Sequence, residues 1–266
     1  MWFFSKKRYS ILESGLLQGM TDCHCHILPG VDDGIQTMEK ALRALQKMSE
    51  LGVREIWLTP HIMEDIPNTP EDLRRRFANL NDNVNANENE NEKKVHVPVD
   101  VHVHLAAEHM LDTLFIQRLA DDDLLPYQDE ATISPLFRRG AGGEVLLLVE
   151  TSYFHPPMGL YDILENIRKK GYTPLLAHPE RYMYMDDADY RRLQDMNVKL
   201  QLNILSLSGA YGESAARKAH RLLHQGAYSC LGTDLHNLDD FLEHAEIKCL
   251  TKKDITLLLS VQETLQ

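Results

Sequence analysis

Thr21-Asp22-Cys23-His24-Cys25-His26 runs through Ile27-Leu28 into Pro29-Gly30-Val31-Asp32-Asp33-Gly34, a short strand pattern that breaks at a turn. Residues i and i+2 of a strand share a face, so His24 and His26 aim their imidazoles the same way, ready to grip one metal ion. Cys23 and Cys25 alternate with them and are expected on the other face as buried structural thiols rather than ligands. In a chain with 13 histidines one such pair is weak by itself. Its meaning depends on what the remaining strands deliver.

Downstream, Met38, Leu42, Leu45, Met48 and Leu51 recur at helical spacing up to Gly52, and Val53 to Thr59 reads as a strand ending in Pro60-His61. A helix from 70 to about 83 runs into an Asn/Glu tract near 81–94, which has no apolar face to bury and is expected to be a solvated helix end or loop insertion. Val97 to Ala107 reads as the next strand. Its second pair, His102-Val103-His104, lies mid-strand and is expected to pack, whereas Glu108 sits at the strand mouth with His109 on the opposite face. After a helix around Leu111 to Leu119, the uniformly apolar run Val145 to Val149 suits a parallel strand covered on both faces and delivers Glu150. A helix from Leu160 to Lys170 leads to the strand Pro174 to Ala177, which ends in His178-Pro179-Glu180-Arg181-Tyr182. Lys199 to Leu205 is the sixth strand. Ala227 to Gly232 is the seventh, ending in Thr233-Asp234-Leu235-His236-Asn237, and a helix near Ile255 to Val261 closes the chain. Seven β/α units with polar residues at strand C-terminal ends predict a closed or nearly closed TIM-like barrel rather than an open doubly wound sheet. One domain over 20–266, preceded by an arm over 1–19, accounts for the length of 266 residues.

The formal charge of −12 repels polyanions, so nucleic acid is disfavoured as a partner. No glycine-rich dinucleotide or P-loop fingerprint follows any strand. Cys23, Cys25, Cys230 and Cys249 contain no CxxC pair, no secretory leader is recognised, and a reduced cytoplasmic setting is expected. Met1-Trp2-Phe3-Phe4 is too short to span a bilayer, and no transmembrane segment is expected. With Lys6-Lys7-Arg8 it reads as an arm packed on the body or on a sister subunit, which leaves a homo-oligomer open.

The strand mouths collect His24, His26, Asp33, His61, Glu108, His178, Asp234 and His236. So many imidazoles and carboxylates exceed a proton relay and suit two or three divalent cations, with manganese, iron or zinc fitting better than calcium or magnesium alone. Such a centre points to hydrolysis of a phosphate ester. Arg181 offers a planar fork for phosphate. Glu150 either protonates the leaving oxygen or orients a ligand histidine.

His24-Cys25-His26, Pro29 to Gly34, Thr59-Pro60-His61, Glu108, Ala177 to Tyr182 and Gly232 to Asn237 resemble the motifs of the polymerase and histidinol phosphatase (PHP) superfamily. More narrowly they resemble its bacterial manganese-dependent tyrosine-protein phosphatases of capsular and extracellular polysaccharide systems. The resemblance implies a distorted (β/α)7 barrel with a trinuclear metal centre. It also implies removal of phosphate from tyrosines in the tail of a polysaccharide-synthesis tyrosine kinase. It assigns metal binding to His24, His26, Asp33, His61, Glu108, His178, Asp234 and His236, phosphate binding to Arg181, and leaving-group assistance to Glu150. The sequence departs from that pattern after Asp234-Leu235-His236, where relatives often carry a second arginine and this chain has Asn237 to Glu243 with only His244 following as a basic group. Competing expectations are a small-molecule phosphatase, such as one acting on histidinol phosphate, a phosphodiesterase or nuclease, and a non-catalytic metal-stabilised module that docks a kinase.

Overall fold

The computed structural model describes residues 7–85, 101–128 and 145–263. The apolar runs form β1 (Thr21–Cys25), β2 (Glu55–Leu58), β3 (His61–Ile62), β4 (His102–Leu105), β5 (Glu108–Met110), β6 (Val145–Glu150), β7 (Tyr172–Leu176), β8 (Lys199–Asn203) and β9 (Cys230–Gly232). Between and after them lie α1 (Met38–Glu50), α2 (Pro70–Asn85), α3 (Thr113–Asp121), α4 (Leu160–Lys169), α5 (Asp187–Asp195), α6 (Gly212–His224), α7 (Leu238–Ala245) and α8 (Lys252–Glu263). The strands pair in parallel in two curled sheets of order β1-β2-β4 and β3-β5-β6-β7-β8-β9. Parallel neighbours need long crossovers, and amphipathic helices supply them. α1 buries Ala41, Ala44, Leu45 and Met48, and α4 buries Leu160, Ile163, Leu164 and Ile167. The Thr37 hydroxyl caps α1 by accepting from the Lys40 N–H, and the Asn237 side chain caps α7 by accepting from the N–H groups of Asp239 and Asp240. That second cap starts a helix directly after His236.

Where seven strands are predicted, nine shorter ones form among the described residues, because two courses break at the same level. Pro60 carries no N–H and ends β2, so the ladder resumes at His61 as β3. The predicted strand from Val97 to Ala107 divides alongside it: Ala106 N–H still donates to Leu58 O at 2.9 Å, but Ala107 N–H turns to Leu125 O at 3.0 Å before β5 begins. The first residues of that predicted strand, 97–100, lie outside the described residues. Helix α2 takes up the start of the Asn/Glu tract as far as Asn85, and the rest of the tract also lies outside them. Ala227 and Tyr228 precede β9 rather than belonging to it. At the other edge, His26 N–H donates to Leu235 O at 2.9 Å and Asp234 N–H to His24 O at 2.7 Å, tying β1 to the segment that leaves β9.

Of the N-terminal arm, residues from Lys7 onward are described. Tyr9 pairs with Leu250 through two backbone bonds of 2.8 and 2.9 Å, and Ile11 and Leu16 are fully buried. The Gln262 amide on α8 donates to Leu16 O at 2.7 Å. Among the described residues no helix is long and apolar enough to cross a membrane.

Candidate metal centre

A floor of side chains lies below the strand mouths. Trp57, Ala106, Leu148 and Cys230 pack together with Cys23, Tyr127, Leu175 and Ala177. In an extended chain Trp57, Ala106, Leu148 and Cys230 share a face with His61, Glu108, Glu150 and Asp234, which follow them by two or four residues. Cys23 belongs to this floor, which corrects the expectation that it faces away from the histidines. The β1–β2 register shifts between Asp22 and Cys25, and such an irregularity breaks strict alternation. The Cys23 thiol lies against that of Cys230, and this contact together with burial holds its pKa well above the ordinary thiol range. It is a poor source of thiolate. Cys25 points its thiol at Trp57 O, 3.4 Å away.

Above the floor, ligand atoms converge in three groups: His26, Asp33, His61 and His236; His24, His26, Glu108 and Asp234; and His61, Glu108 and Glu150. Within each group the atoms all lie within 4.8 Å of one another. Each pair of groups shares one residue, His26, His61 or Glu108. Glu108, fully buried, is the hub, with its carboxylate oxygens 3.1 Å from His24 Nε2, 3.3 Å from His26 Nε2, 3.3 Å from His61 Nδ1 and 3.0 Å from His178 Nε2. His24 Nε2 and His26 Nε2 stand 3.1 Å apart.

The donor set fits divalent cations. His24 Nδ1 is 3.0 Å from Gln201 Oε1, His26 Nδ1 is 2.8 Å from Asp32 Oδ2 and His236 Nδ1 is 2.9 Å from Asp234 O. In each case a peripheral acceptor takes the Nδ1–H, so the Nε2 lone pair faces the cluster. His61 Nδ1 and Glu150 Oε1 are buried without a hydrogen bond although they are only 3.1 Å apart. Buried groups brought this close without bonding each other are costly unless a third group binds both. The electrostatics agree. Burial opposes charge on His24, yet the carboxylates of Glu108 and Asp234 hold its pKa up at about 10. Burial also opposes charge on His61, and Glu150 and Glu108 overcome it, again to about 10. Surplus negative charge that holds protons this firmly would hold cations in their place.

Two candidate ligands adopt left-handed backbone, His178 at φ 32° and Asp234 at φ 52°. Such conformations cost on the order of 1–3 kcal/mol each and gather at functional sites. His178 touches the hub, but its ligand atom stands outside the three groups, 3.9 Å from Glu150 Oε2. Burial and the nearby Arg181 charge push its pKa down to about 4. Glu150 is 3% exposed and joins His61 and Glu108 instead of facing the mouth. The short helical turn Pro179–Arg181 after β7 presents Arg181, whose guanidinium lies 4.5 Å from the Tyr153 ring centroid and 4.0 Å from that of Tyr211. Arg181 Nη1 donates to Asp234 Oδ2 at 2.6 Å. Asp33, His61, Glu108, His178, Arg181, Asp234 and His236 line one cavity of about 470 Å³, together with Tyr153, Tyr211 and His244. The mid-strand look-alikes are elsewhere: His104 stacks on Trp57 with centroids 4.6 Å apart, and His102 is exposed. His109 is buried and turns Nδ1 to Leu148 O at 3.2 Å.

Sequence reasoning missed the groups that aim the ligands. Asp32 orients His26 and also accepts from the His61 N–H at 3.0 Å. Gln201 accepts from the His178 N–H at 3.1 Å while holding His24, and the Asn203 amide donates to Asp234 Oδ2 at 2.9 Å. The polar alternation Lys199-Leu200-Gln201-Leu202-Asn203 in a buried strand was the available signal. Gly232 leaves room for this arrangement, since a Cβ there would sit 2.6 Å from both His24 Cβ and Gln201 Nε2. Gly232→Ala is expected to destabilise the fold by about 1–3 kcal/mol, read by denaturant unfolding of metal-free protein.

Curled parallel strands that present convergent histidines and carboxylates from their C-terminal ends define a class of α/β proteins with a candidate polynuclear metal centre. Residues 20–133 and 141–248 match the family model for capsular polysaccharide synthesis, CpsB/CapC. The chain belongs to that family. It is 25% identical over 233 residues to tyrosine-protein phosphatase YwqE of Bacillus subtilis, covering 82% of this chain and 78% of that one. To tyrosine-protein phosphatase CpsB of Streptococcus pneumoniae it is 26% identical over 232 residues, covering 83% and 84%. A crystal structure from the pair YwqE and CpsB, described as unique metal-dependent tyrosine phosphatases, superposes with a TM-score of 0.69 at 23% identity, over 92% of this chain and 94% of that one. It shares the fold.

Proposed function

We propose that this protein is a metal-dependent tyrosine-protein phosphatase, whose substrate is the phosphotyrosine-bearing tail of a tyrosine kinase of polysaccharide synthesis. The observation that carries this reading is the meeting of three overlapping His/carboxylate groups with Arg181 in one cavity. The names of YwqE and CpsB support the same activity. His24, His26, Asp33, His61, Glu108, Asp234 and His236 would hold two or three divalent cations, manganese first and iron or zinc next, with His178 and Glu150 against the same hub. Bound there, the cations supply Lewis acidity that acidifies water and neutralises phosphoryl charge.

The chain's own residues do the rest. Asp234 and the two tyrosine rings fix the Arg181 plane, leaving its remaining N–H groups to bind phosphoryl oxygens. Tyr153 and Tyr211 flank the space an aryl ring would enter. The buried Glu150 is better suited to orienting His61 than to delivering a proton, and a phenolate, with a pKa of about 10, leaves with little help. No cysteine lines the cavity, so a thiol nucleophile is not part of the scheme. The joined courses β2–β3 and β4–β5 support counting the strands as a distorted (β/α)7 barrel of the PHP type in a single domain. Four buried free thiols suit a cytoplasmic setting.

Metal-depleted protein reconstituted with Mn2+, Fe2+ or Zn2+ and assayed on phosphotyrosyl peptide, phosphoseryl peptide and histidinol phosphate tests this reading. Chelation is expected to lower turnover by at least ~10³-fold, since the cations supply several kcal/mol of transition-state stabilisation. Phosphotyrosyl peptide is expected to be the best substrate. Turnover that survives complete chelation, or preference for histidinol phosphate, would sink the proposal.

A further inference from the structure

We propose that Glu180 is a positioning residue for the Arg181–Asp234 pair: its carboxyl group clamps the turn that carries Arg181 to the end of β8, and so sets where the guanidinium meets a phosphoryl group. The inference rests on the phosphate-binding role given to Arg181 in the reading above. Glu180 is 1% exposed. Its Oε1 accepts from the Asn203 N–H at 3.1 Å and from the Ser206 hydroxyl at 2.8 Å, and its Oε2 accepts from the Tyr228 hydroxyl at 3.0 Å. These partners are neutral, and a carboxyl group buried among neutral donors is costly, so filling space alone gives no reason for an acid here.

The bonds close a ring around the pair. Asn203, which gives its backbone N–H to Glu180, gives its side-chain amide to Asp234 Oδ2 at 2.9 Å, and that same oxygen takes Arg181 Nη1 at 2.6 Å. Arg181 then leads back to Glu180 through one peptide bond. Ser206 extends the clamp. It lies in the short helical turn Ile204–Ser208, which runs on through Gly209 and Ala210 to Tyr211, whose ring centroid is 4.0 Å from the guanidinium. Glu180 therefore joins the turn that bears Arg181 to the segment that supplies both Asn203 and Tyr211. The turn needs holding, because it starts from left-handed backbone, His178 at φ 32°, a conformation that persists only where surrounding contacts fix it. Gln201 holds its start at the His178 N–H, and Glu180 holds its middle. Released from the clamp, Arg181 would keep its charge and lose its aim, and misplacing a binding group by about 1 Å costs on the order of 10²-fold in rate.

The test uses Mn2+-loaded full-length protein and the variants Glu180→Ala, Glu180→Gln, Arg181→Met and Glu180→Ala/Arg181→Met. Each is assayed on p-nitrophenyl phosphate with inorganic phosphate as inhibitor, and its metal content is measured. Glu180→Ala is expected to lower kcat/KM by ~10²-fold, raise the Ki for phosphate about tenfold and keep wild-type metal content. In the Arg181→Met background the same change is expected to cost less than about threefold, because it acts through a side chain already absent. Glu180→Gln is expected to stay within about threefold of wild type, since the amide oxygen keeps the bonds from Asn203 and Ser206 and the Tyr228 hydroxyl turns to accept from the amide N–H. An equal loss in both backgrounds, a loss of metal in Glu180→Ala, a Gln variant as impaired as the Ala variant, or unchanged kinetics in Glu180→Ala would overturn the positioning role. If Glu180→Ala does not fold, Tyr228→Phe, which removes the bond on Oε2 alone, enters the same cycle. Its expected loss of about three- to tenfold should vanish in the Arg181→Met background, and no loss at all would overturn the role as well. If the wild type does not turn over p-nitrophenyl phosphate, or Arg181→Met is fully active, the reading of Arg181 fails first and takes this inference with it.

Discussion

Glu108→Gln is expected to lower turnover by ~10³-fold or more and to reduce the metal content of the purified protein, read together by steady-state kinetics and elemental analysis. The amide keeps the size of the carboxylate and removes its charge. Glu108 lies within 3.3 Å of the ligand nitrogens of His24, His26 and His61 and belongs to two of the three ligand groups. One change therefore weakens two candidate sites at once, and several kcal/mol of charge stabilisation goes with them. His24 and His61 should also lose part of the electrostatic support that raises their pKa. Metal content equal to wild type together with wild-type turnover would remove Glu108 from the centre.

Arg181→Lys is expected to lower kcat/KM for aryl phosphates by ~10²–10³-fold, on the scale of losing a fixed donor to developing charge. Retaining the positive charge should not rescue activity. The guanidinium lies between Tyr153 and Tyr211 and gives one nitrogen to Asp234 Oδ2 at 2.6 Å, a geometry that depends on a plane with several forked donors. An ammonium is a compact point charge and cannot occupy the slot and bind phosphoryl oxygens together. Comparing Arg181→Lys with Arg181→Met separates the contributions. Near-equal losses are expected, and full activity in Arg181→Lys would reduce the role of Arg181 to net charge.

Much of the fold was legible because parallel strands and their crossover helices leave strong local signals. The run Val145 to Val149 is apolar without alternation, as burial on both faces requires, and forms most of β6. Helices α1 and α4 lie over the periodic residues that announced them. Strand breaks were less legible. Pro60 could be read as a stop, but the parallel break at Ala106-Ala107 depends on a bond to Leu125, which is distant in sequence.

The residues of the candidate centre were legible for a related reason. A side chain at the C-terminal end of a parallel strand needs only its own strand to be placed, so His61, Glu108 and Asp234 could be picked from local pattern before any contact was known. Glu150 shows the limit of that reasoning. Its position at the end of β6 is local, but its depth and its place beside His61, 3.1 Å away across the sheet, are not.

By itself the sequence determined which residue types stand at the strand ends, and hence the α/β class and the stock of imidazoles and carboxylates at β1, whose pair His24 and His26 begins the set. Only the tertiary structure decided how that stock is divided: which ligands are shared, that Asp32 and Gln201 turn His26 and His24 inward, and that Cys23 drops to the floor beside Cys230. The physical reason is range. Strand and helix formation answer to neighbours a few residues away, whereas sharing a ligand or aiming a ring depends on angles and distances between segments far apart in sequence, 177 residues between His24 and Gln201, which packing alone sets.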